Sequence, residues 1–200
     1  PGIGELVAVD LGGATTDVYS IAEGNPANIG TVMKGLQEPY SKRSVEGDIG
    51  MRYSVHGILE ASGDRKLSEL SGISRKRVRE LVDFLGSHTD YIPDNEEMEK
   101  MDFALACIAV ETAVSRHAGT LEQVYTPTGL TFLQSGKDLR KVRNVVATGG
   151  ALIHARNVRE IAAKALYDPQ KPDSLRPENA KILIDEKYIL AAMGLLSQYY

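Results

Sequence analysis

The hydrophobic and polar positions of this chain change their period twice. Short apolar or alternating runs near the start predict strands at 6–9, 18–21 and 31–33. The first two form a hairpin, and the third is expected to pair antiparallel with it. Apolar residues then recur every three or four positions, which predicts helices at 48–61, 74–86 and 95–118. Short apolar runs return at 124–125, 131–133, 144–148 and 182–184. The chain is therefore expected to be α/β, with a core at 1–46 and 120–200 and an inserted, mostly helical subdomain at 47–119.

Individual residues predict where the helices begin and end. Gly63 and its neighbours are expected to stop the first helix. Ser74 is a suitable N-cap for the second, and Gly86 a suitable residue just beyond its end. A last helix is expected after Asp185, with an apolar stripe that packs on a sheet.

Composition excludes several classes of protein. The net charge of -4 gives no general attraction to nucleic acid or to an anionic membrane, so neither is expected as a partner. No apolar run approaches the roughly 18 residues of a membrane-spanning helix. The single cysteine, Cys107, lies in an apolar stretch and is expected to be a core residue. One cysteine cannot form an internal disulfide, which favours a reducing, cytoplasmic location.

Candidate chemistry is concentrated in the first hairpin. Asp10 ends an apolar strand, and Gly12 and Gly13 follow before a second strand begins. A glycine-rich hairpin tip can expose backbone N–H groups that bind an anion, and an adjacent carboxylate suits a hydrated metal ion or an attacking water. The pattern favours a phosphate-binding loop without a nearby lysine. A tight hairpin with a solvated aspartate is the simpler alternative.

A second glycine pair, Gly149-Gly150, joins a predicted strand to a predicted helix. Two glycines let a ligand approach the backbone closely, and a helix N-terminus offers unpaired N–H groups. Taken alone, this turn is weak evidence for a ligand site, and a plain tight connection is the simpler alternative.

The full pattern from Asp10 through Gly12, Gly13 and Thr15 to Asp17 resembles the second phosphate loop of the actin, sugar kinase and heat-shock chaperone ATPase superfamily. In that superfamily a Gly-Gly turn downstream contacts adenosine, as Gly149-Gly150 would here. The resemblance implies an actin-like ATPase (ribonuclease H-like) fold. Because only one such hairpin occurs, the chain is expected to be the C-terminal half, with the N-terminal half absent.

Four further stretches resemble the methylaspartate (glutamate) mutase accessory protein family, which includes reactivating factors of adenosylcobalamin-dependent mutases: 44–52, 115–119, 136–139 and 188–196. The resemblance implies the ATP-binding and hydrolysing half of a chaperone-like reactivating factor. ATP and Mg²⁺ would be its cofactors and mutase subunits its partners. The full-length protein would be an ATPase, whereas this fragment alone is expected to be inactive.

The same resemblance implies roles for individual residues. Asp10 would be catalytic and would hold Mg²⁺ through water. The phosphates would be bound by Gly12, Gly13, Ala14 and Thr15, and the adenosine by Gly149, Gly150 and Ala151. More distant adenosine contacts would come from Gly47 and Asp48 at the ribose and from Glu111 and Arg116 at the purine.

Two other functions remain open on the same fold, a small-molecule kinase and an actin-like assembly protein, because phosphate loops do not separate them. The first turn of the second helix also carries a basic cluster: Arg75, Lys76, Arg77 and Arg79. Positive charge there opposes the helix dipole. The cluster is either a solvated face or a docking surface for an acidic partner.

Overall fold

The computed structural model describes residues 3–26, 30–127 and 129–196. Its strands are β1 (Leu6–Leu11), β2 (Thr16–Ile21), β3 (Thr31–Met33), β4 (Ser41–Glu46), β5 (Thr120–Thr126), β6 (Gly129–Ser135), β7 (Asn144–Thr148) and β8 (Lys181–Ile184). Its helices are α1 (Val55–Ser71), α2 (Arg75–Ser87), α3 (Glu96–His117), α4 (Gly150–Ile153), α5 (Val158–Ala162) and α6 (Leu190–Leu196), with a 3-10 helix at Ala163–Ala165. Mixed α/β structure is therefore confirmed. The parts of the predicted core at 1–2, 27–29, 128 and 197–200 lie outside the described residues.

The main sheet has five strands in the order β4-β2-β1-β7-β8. β2 is antiparallel to its neighbours β1 and β4, whereas β1, β7 and β8 are mutually parallel. The chain leaves β1 toward β2 and β4 and later returns on the other side of β1 as β7. The junction between β1 and β7 is thus a point where the strand order reverses, and ligands of open α/β sheets bind beyond the carboxyl ends of such strands.

The helices between β4 and β5 support this sheet. α3 is buried along most of its length, and a single hydrophobic cluster extends from Val7 and Val9 of β1 to Leu105 and Ile108 of α3. The division into a core and an inserted subdomain stays a prediction.

The predicted caps agree with the structure in part. Ser74 caps α2 by accepting a hydrogen bond from the Arg77 amide (3.4 Å), as expected. Gly86 lies inside α2, which ends at Ser87, because the helix continues past the last apolar position. Gly63 has a φ of 75° and only kinks α1, which continues to Ser71. A left-handed glycine can interrupt the helical hydrogen bonds without ending the element.

The prediction that the third strand pairs antiparallel with the hairpin was wrong. β3 belongs to a second sheet of order β3-β6-β5, where it runs parallel to β6. Its predicted place beside the hairpin is taken by β4, which pairs antiparallel with β2. β4 was missed because it has the sequence Ser-Lys-Arg-Ser-Val-Glu, whose positions alternate between half-buried and exposed at the edge of the sheet. An edge strand of this kind lacks the apolar run by which strands are recognised.

The last helix also differs from expectation. Asp185 caps the turn before α6 by accepting hydrogen bonds from the amides of Ile189 (3.1 Å) and Leu190 (3.0 Å). None of the residues of α6 is buried, and Leu195 is 63% exposed. The predicted packing of its apolar stripe on a sheet is therefore wrong for the described part of the chain.

Candidate functional site

Polar groups converge at the carboxyl edge of the main sheet. Asp10 of β1 is in register with Asp17 of β2 on one side and with Thr148 of β7 on the other. The Thr148 hydroxyl donates a hydrogen bond to Oδ2 of Asp185, which follows β8 (3.1 Å). Three parallel strands therefore end in one polar cluster, at the position where the sheet topology favours a ligand site.

The carboxyl group of Asp10 is held in an unfavourable environment for its charge. Burial raises the pKa of Asp10, and the negative charge of Asp17 raises it further, while Arg43 acts in the opposite direction. Arg43 is already paired with Asp17 through Nη2 and Oδ1 (2.7 Å). The Asp10 carboxylate is therefore suited to accept hydrogen bonds from water or to face a cation, either of which would stabilise its charge.

The tip of the hairpin is fixed through its carbonyl groups. The amides of Arg52 and Tyr53 donate to the Gly13 carbonyl (2.8 and 2.9 Å), and the Met51 amide donates to the Gly12 carbonyl (3.1 Å). A side chain at Gly50 would collide with the backbone of Ala14. The loop before α1 thus holds the tip in one conformation.

This anchoring leaves two amide groups of the tip unused. Among the described residues, no hydrogen bond uses the backbone N–H of Gly13 or Ala14, and both residues are exposed. The Gly12 amide instead closes the turn by donating to the Thr15 carbonyl (3.0 Å), and the Thr15 hydroxyl donates to Asp17 (3.2 Å). Adjacent free amides on a fixed turn can bind an anion such as a phosphate oxygen.

The second glycine pair lies directly against the first motif. Gly149 has a φ of 95°, and a Cβ atom there would lie 2.5 Å from Oδ1 of Asp10 and 2.5 Å from the Leu11 carbonyl oxygen. Gly150 begins α4, and a Cβ there would meet nothing within 4 Å. The close approach of β1 and the turn after β7 therefore requires glycine at 149 but not at 150.

A cleft of about 860 Å³ opens beside these motifs, a size typical of small-molecule sites. Three of its lining residues were predicted from the sequence: Gly13, Gly150 and Ala151. The opposite side is formed by the loop at 89–93 and the first half of α3. The structure thus places part of the predicted phosphate loop and part of the predicted adenosine turn on one cavity.

The cleft also contains residues that the sequence did not single out: Arg52, Tyr91, Phe103, His154 and Arg156. The guanidinium of Arg52 forms a bidentate pair with Asp102 (2.7 and 3.0 Å) and donates to the Tyr91 carbonyl (3.2 Å). Burial raises the pKa of Asp102, while the hydrogen bonds from Arg52 oppose this change. Arg52 lies in the stretch 44–52, whereas the others carry no local signal because tertiary packing alone brings them together.

Five of the seven predicted adenosine contacts do not line this cleft: Gly149, which directly precedes the lining residue Gly150, and the more distant Gly47, Asp48, Glu111 and Arg116. Nη1 of Arg116 pairs with Asp48 (2.8 Å) and with Glu46 (2.7 Å), and the Gly47 carbonyl accepts from the Ser54 hydroxyl (2.9 Å). Glu111 accepts from Lys66 and Lys171, each at 2.7 Å. The roles of Gly47, Asp48, Glu111 and Arg116 stay predictions, which a rearranged nucleotide-bound form would have to satisfy.

The arginines of the basic turn of α2 are paired with carboxylates of the same chain. Arg75 and Arg79 both pair with Asp64 (2.7 and 2.6 Å), and Arg77 pairs with Glu97 (2.8 Å). This arrangement favours the solvated-face interpretation over a docking surface.

No cluster of three or more His, Cys, Asp or Glu side chains that could hold a metal ion occurs within residues 3–26, 30–127 and 129–196. A magnesium ion held by Asp10 through water, as expected from the sequence, would rely on one carboxylate and on its nucleotide. In the same part of the chain, the helices are too short or too polar to cross a membrane.

Comparison with known proteins identifies the family. A family model described as MutL protein matches residues 1–200. Protein MutL of Clostridium tetanomorphum is 44% identical over 197 residues, a match that covers 98% of this chain and 43% of that relative. The chain therefore spans less than half the length of the curated relative, and it belongs to the MutL protein family.

Proposed function

We propose that this chain forms the phosphate- and adenosine-binding half of an ATPase within an accessory factor of an adenosylcobalamin-dependent mutase of the glutamate mutase type. The accessory assignment is supported by the match to the MutL family together with the stretches that resemble the methylaspartate (glutamate) mutase accessory proteins, 44–52, 115–119, 136–139 and 188–196. The parallel strands that end beside the phosphate loop support the actin-like assignment.

One observation carries the proposal. Two motifs that are distant in sequence, the Asp10 hairpin and the Gly149 turn, are in contact at the reversal point of the sheet. They lie beside a cleft of about 860 Å³, and the two amides of the hairpin that have no hydrogen-bond partner among the described residues are available to bind an anion. A solvated hairpin alone would not explain why Gly149 must be a glycine in contact with Asp10.

The residues present fit a nucleotide. The amides of Gly13 and Ala14 would donate to phosphate oxygens, and the backbone of Gly150 and Ala151 would lie along the adenosine. Tyr91 and Phe103 offer aromatic surface to a base in the same cleft. Asp10 would accept a hydrogen bond from a water and hold it near the terminal phosphate. A magnesium ion bound with the nucleotide would neutralise part of the phosphate charge.

ATP hydrolysis by the full-length protein tests the proposal. We expect Asp10→Asn to lower kcat by about 100-fold or more with less than about a threefold change in ATP affinity, because water orientation matters mainly in the transition state. Asp83→Asn is the matched control, since Asp83 is exposed on α2 and pairs only with His56 among the described residues. Equal losses of affinity and kcat would indicate a structural Asp10.

The partner is tested in the same assay. We expect glutamate mutase carrying inactivated cobalamin to stimulate ATP hydrolysis, with no phosphorylated small molecule formed. Transfer of the γ-phosphate to a small acid or sugar would reject the accessory function in favour of a kinase. Assembly into filaments on ATP addition, without an effect of the mutase, would favour an actin-like assembly protein.

A further inference from the structure

A second, smaller cavity lies away from the nucleotide cleft and shares none of its lining residues. It has a volume of about 350 Å³ and is formed by α1, the later part of α3, the 3-10 helix and the loop that follows it. Its charged lining residues are Lys66, Glu111, Lys164, Asp168 and Arg176. The predicted purine contact Glu111 therefore lies at this cavity.

Arg176 is the unusual residue of this cavity. It is only 1% exposed, yet among the described residues its Nε and Nη2 groups have no hydrogen-bond partner. Its Nη1 group donates to the Lys164 carbonyl (3.0 Å), and this is the hydrogen bond of the guanidinium within the described residues. The two unpaired groups form one edge of the guanidinium plane, the edge that binds two oxygens of an anion side by side.

Buried charged donors without partners are destabilising and uncommon in folded proteins. Burial lowers the pKa of Arg176, which reflects the same unfavourable environment, while Glu111 and Asp168 act in the opposite direction. Neither carboxylate is hydrogen-bonded to the guanidinium. Glu111 is occupied by Lys66 and Lys171, and Oδ1 of Asp168 accepts from the Gln170 amide (2.9 Å).

The charge around the cavity favours a dianion. The three cations Lys66, Lys164 and Arg176 outnumber the two carboxylates of the lining, and Lys171 adds a fourth positive charge at Glu111. A phosphate group gains more from this surplus than a carboxylate, since it carries more charge and has three oxygens for donors.

We propose that this cavity binds a phosphate group, as inorganic phosphate or as a phosphomonoester, through the Nε and Nη2 edge of Arg176, with Lys164 as the second cation. This site is separate from the nucleotide cleft, and its occupation stabilises the packing of α3 against the 3-10 helix.

The test is a titration of the ¹⁵N-labelled full-length protein with inorganic phosphate at constant ionic strength, followed by NMR of the arginine Nε–H signals. We expect the Arg176 signal to shift and to saturate in the millimolar range. The Arg140 signal is the internal control, because its Nε already donates to Asp138 (3.0 Å). The Arg52 signal reports separately on the nucleotide cleft. If MgATP leaves the Arg52 signal unchanged, the nucleotide site is in doubt, while the phosphate site at Arg176 is still tested by its own signal.

Replacing the buried Arg176 itself is expected to impair folding, so the second test replaces the cation Lys164 at the edge of the cavity instead. Lys164→Gln keeps the backbone carbonyl that holds Arg176, and we expect it to raise the half-saturating phosphate concentration at least about fivefold. The matched control is Lys76→Gln, whose side chain is 91% exposed on α2 and is expected to change nothing. A phosphomonoester such as glycerol phosphate should shift the same signal.

Three results would overturn the proposal. One is an Arg176 signal unmoved by about 50 mM phosphate, roughly fiftyfold above a dissociation constant of about 1 mM. Another is a response that Lys164→Gln leaves unchanged. The third is saturation by acetate at lower concentrations than by phosphate, which would assign the site to carboxylates.

Discussion

Replacement of Gly149 by alanine tests the contact on which the candidate site depends. The added Cβ would lie 2.5 Å from Oδ1 of Asp10 and 2.6 Å from the Leu11 amide nitrogen, closer than such atoms approach. Its φ of 95° is also one that alanine rarely adopts. We therefore expect Gly149→Ala to destabilise the protein and to displace Asp10 from the phosphate loop.

The magnitude follows from two contributions. Holding a residue with a Cβ in a sparsely populated backbone region costs about 1–3 kcal/mol. Overpacking against backbone atoms of β1, which cannot move aside like a flexible side chain, costs about 1–3 kcal/mol more. Partial relaxation makes these terms less than additive, so we expect the free energy of unfolding to fall by about 2–5 kcal/mol.

Gly150→Ala is the matched control, since it makes the same chemical change one residue further along. Gly150 has no positive φ, and a Cβ atom added to it would meet nothing within 4 Å. In the first turn of a helix this change should be neutral or stabilising by up to about 1 kcal/mol.

Urea unfolding followed by circular dichroism measures both variants, and ATP titration of the same preparations measures the site. We expect Gly149→Ala to lose stability and ATP affinity together, and Gly150→Ala to lose no more than about 0.5 kcal/mol of stability. Gly149→Ala within about 0.5 kcal/mol of wild type, with normal ATP binding, would refute the argument from close contact.

Three further predictions concern charge and the extent of the site. Because burial and Asp17 raise the pKa of Asp10, its ionised form opposes folding. Asp10→Asn should therefore raise the free energy of unfolding at pH 7 by up to about 1 kcal/mol after discounting for solvent exposure, and in thermal unfolding experiments the gain should disappear below about pH 4. His117 is fully buried between the hydroxyls of Ser44 and Ser20, and burial, with a smaller effect of Lys42, lowers its pKa to about 3. Because the unfolded state gains a proton that the folded state does not bind, the free energy of unfolding should fall by about 2 kcal/mol from pH 7 to pH 5. Urea unfolding of His117→Asn should show a correspondingly flatter dependence on pH. This chain alone should bind MgATP about two to four decades more weakly than the full-length protein, because the loss of about two charge-assisted hydrogen bonds from the other half of a two-lobed cleft costs about 3–6 kcal/mol. Calorimetry on both proteins measures the difference, and equal affinities would reject the two-lobed site.

The sequence predicted those parts of the fold in which local pattern and tertiary packing agree. β1 and β7 were recognised because they are buried on both faces and contain continuous apolar runs. α2 and α3 were recognised because their apolar positions follow the helical period and their first residues follow polar caps. Asp10 lies in β1 and Gly149 directly follows β7, so the position of the two motifs at the ends of strands could be predicted.

The remainder depends on contacts between distant parts of the chain. β4 contains no apolar run, and only its pairing with β2 makes it a strand. The contact of Gly149 with Asp10 has no signature in either motif, since it requires β1 and β7 to be neighbours. Phe103 of α3 and Tyr91 of the preceding loop line the cleft because tertiary packing places them on the same cavity as Gly13 and Gly150, which no motif indicates. Cys107 and His117, in contrast, are buried within α3 as core residues.

The proposed nucleotide site combines the hairpin amides and the second glycine turn. It is tested most directly by NMR of the full-length protein with ¹⁵N-labelled glycine and alanine, titrated with MgATP. We expect the amide signals of Gly13, Ala14 and Gly150 to shift with one common dissociation constant, while that of Gly72, which follows α1 and does not line the cleft, moves little. Saturable ATP binding that leaves Gly13 and Ala14 unmoved would contradict it.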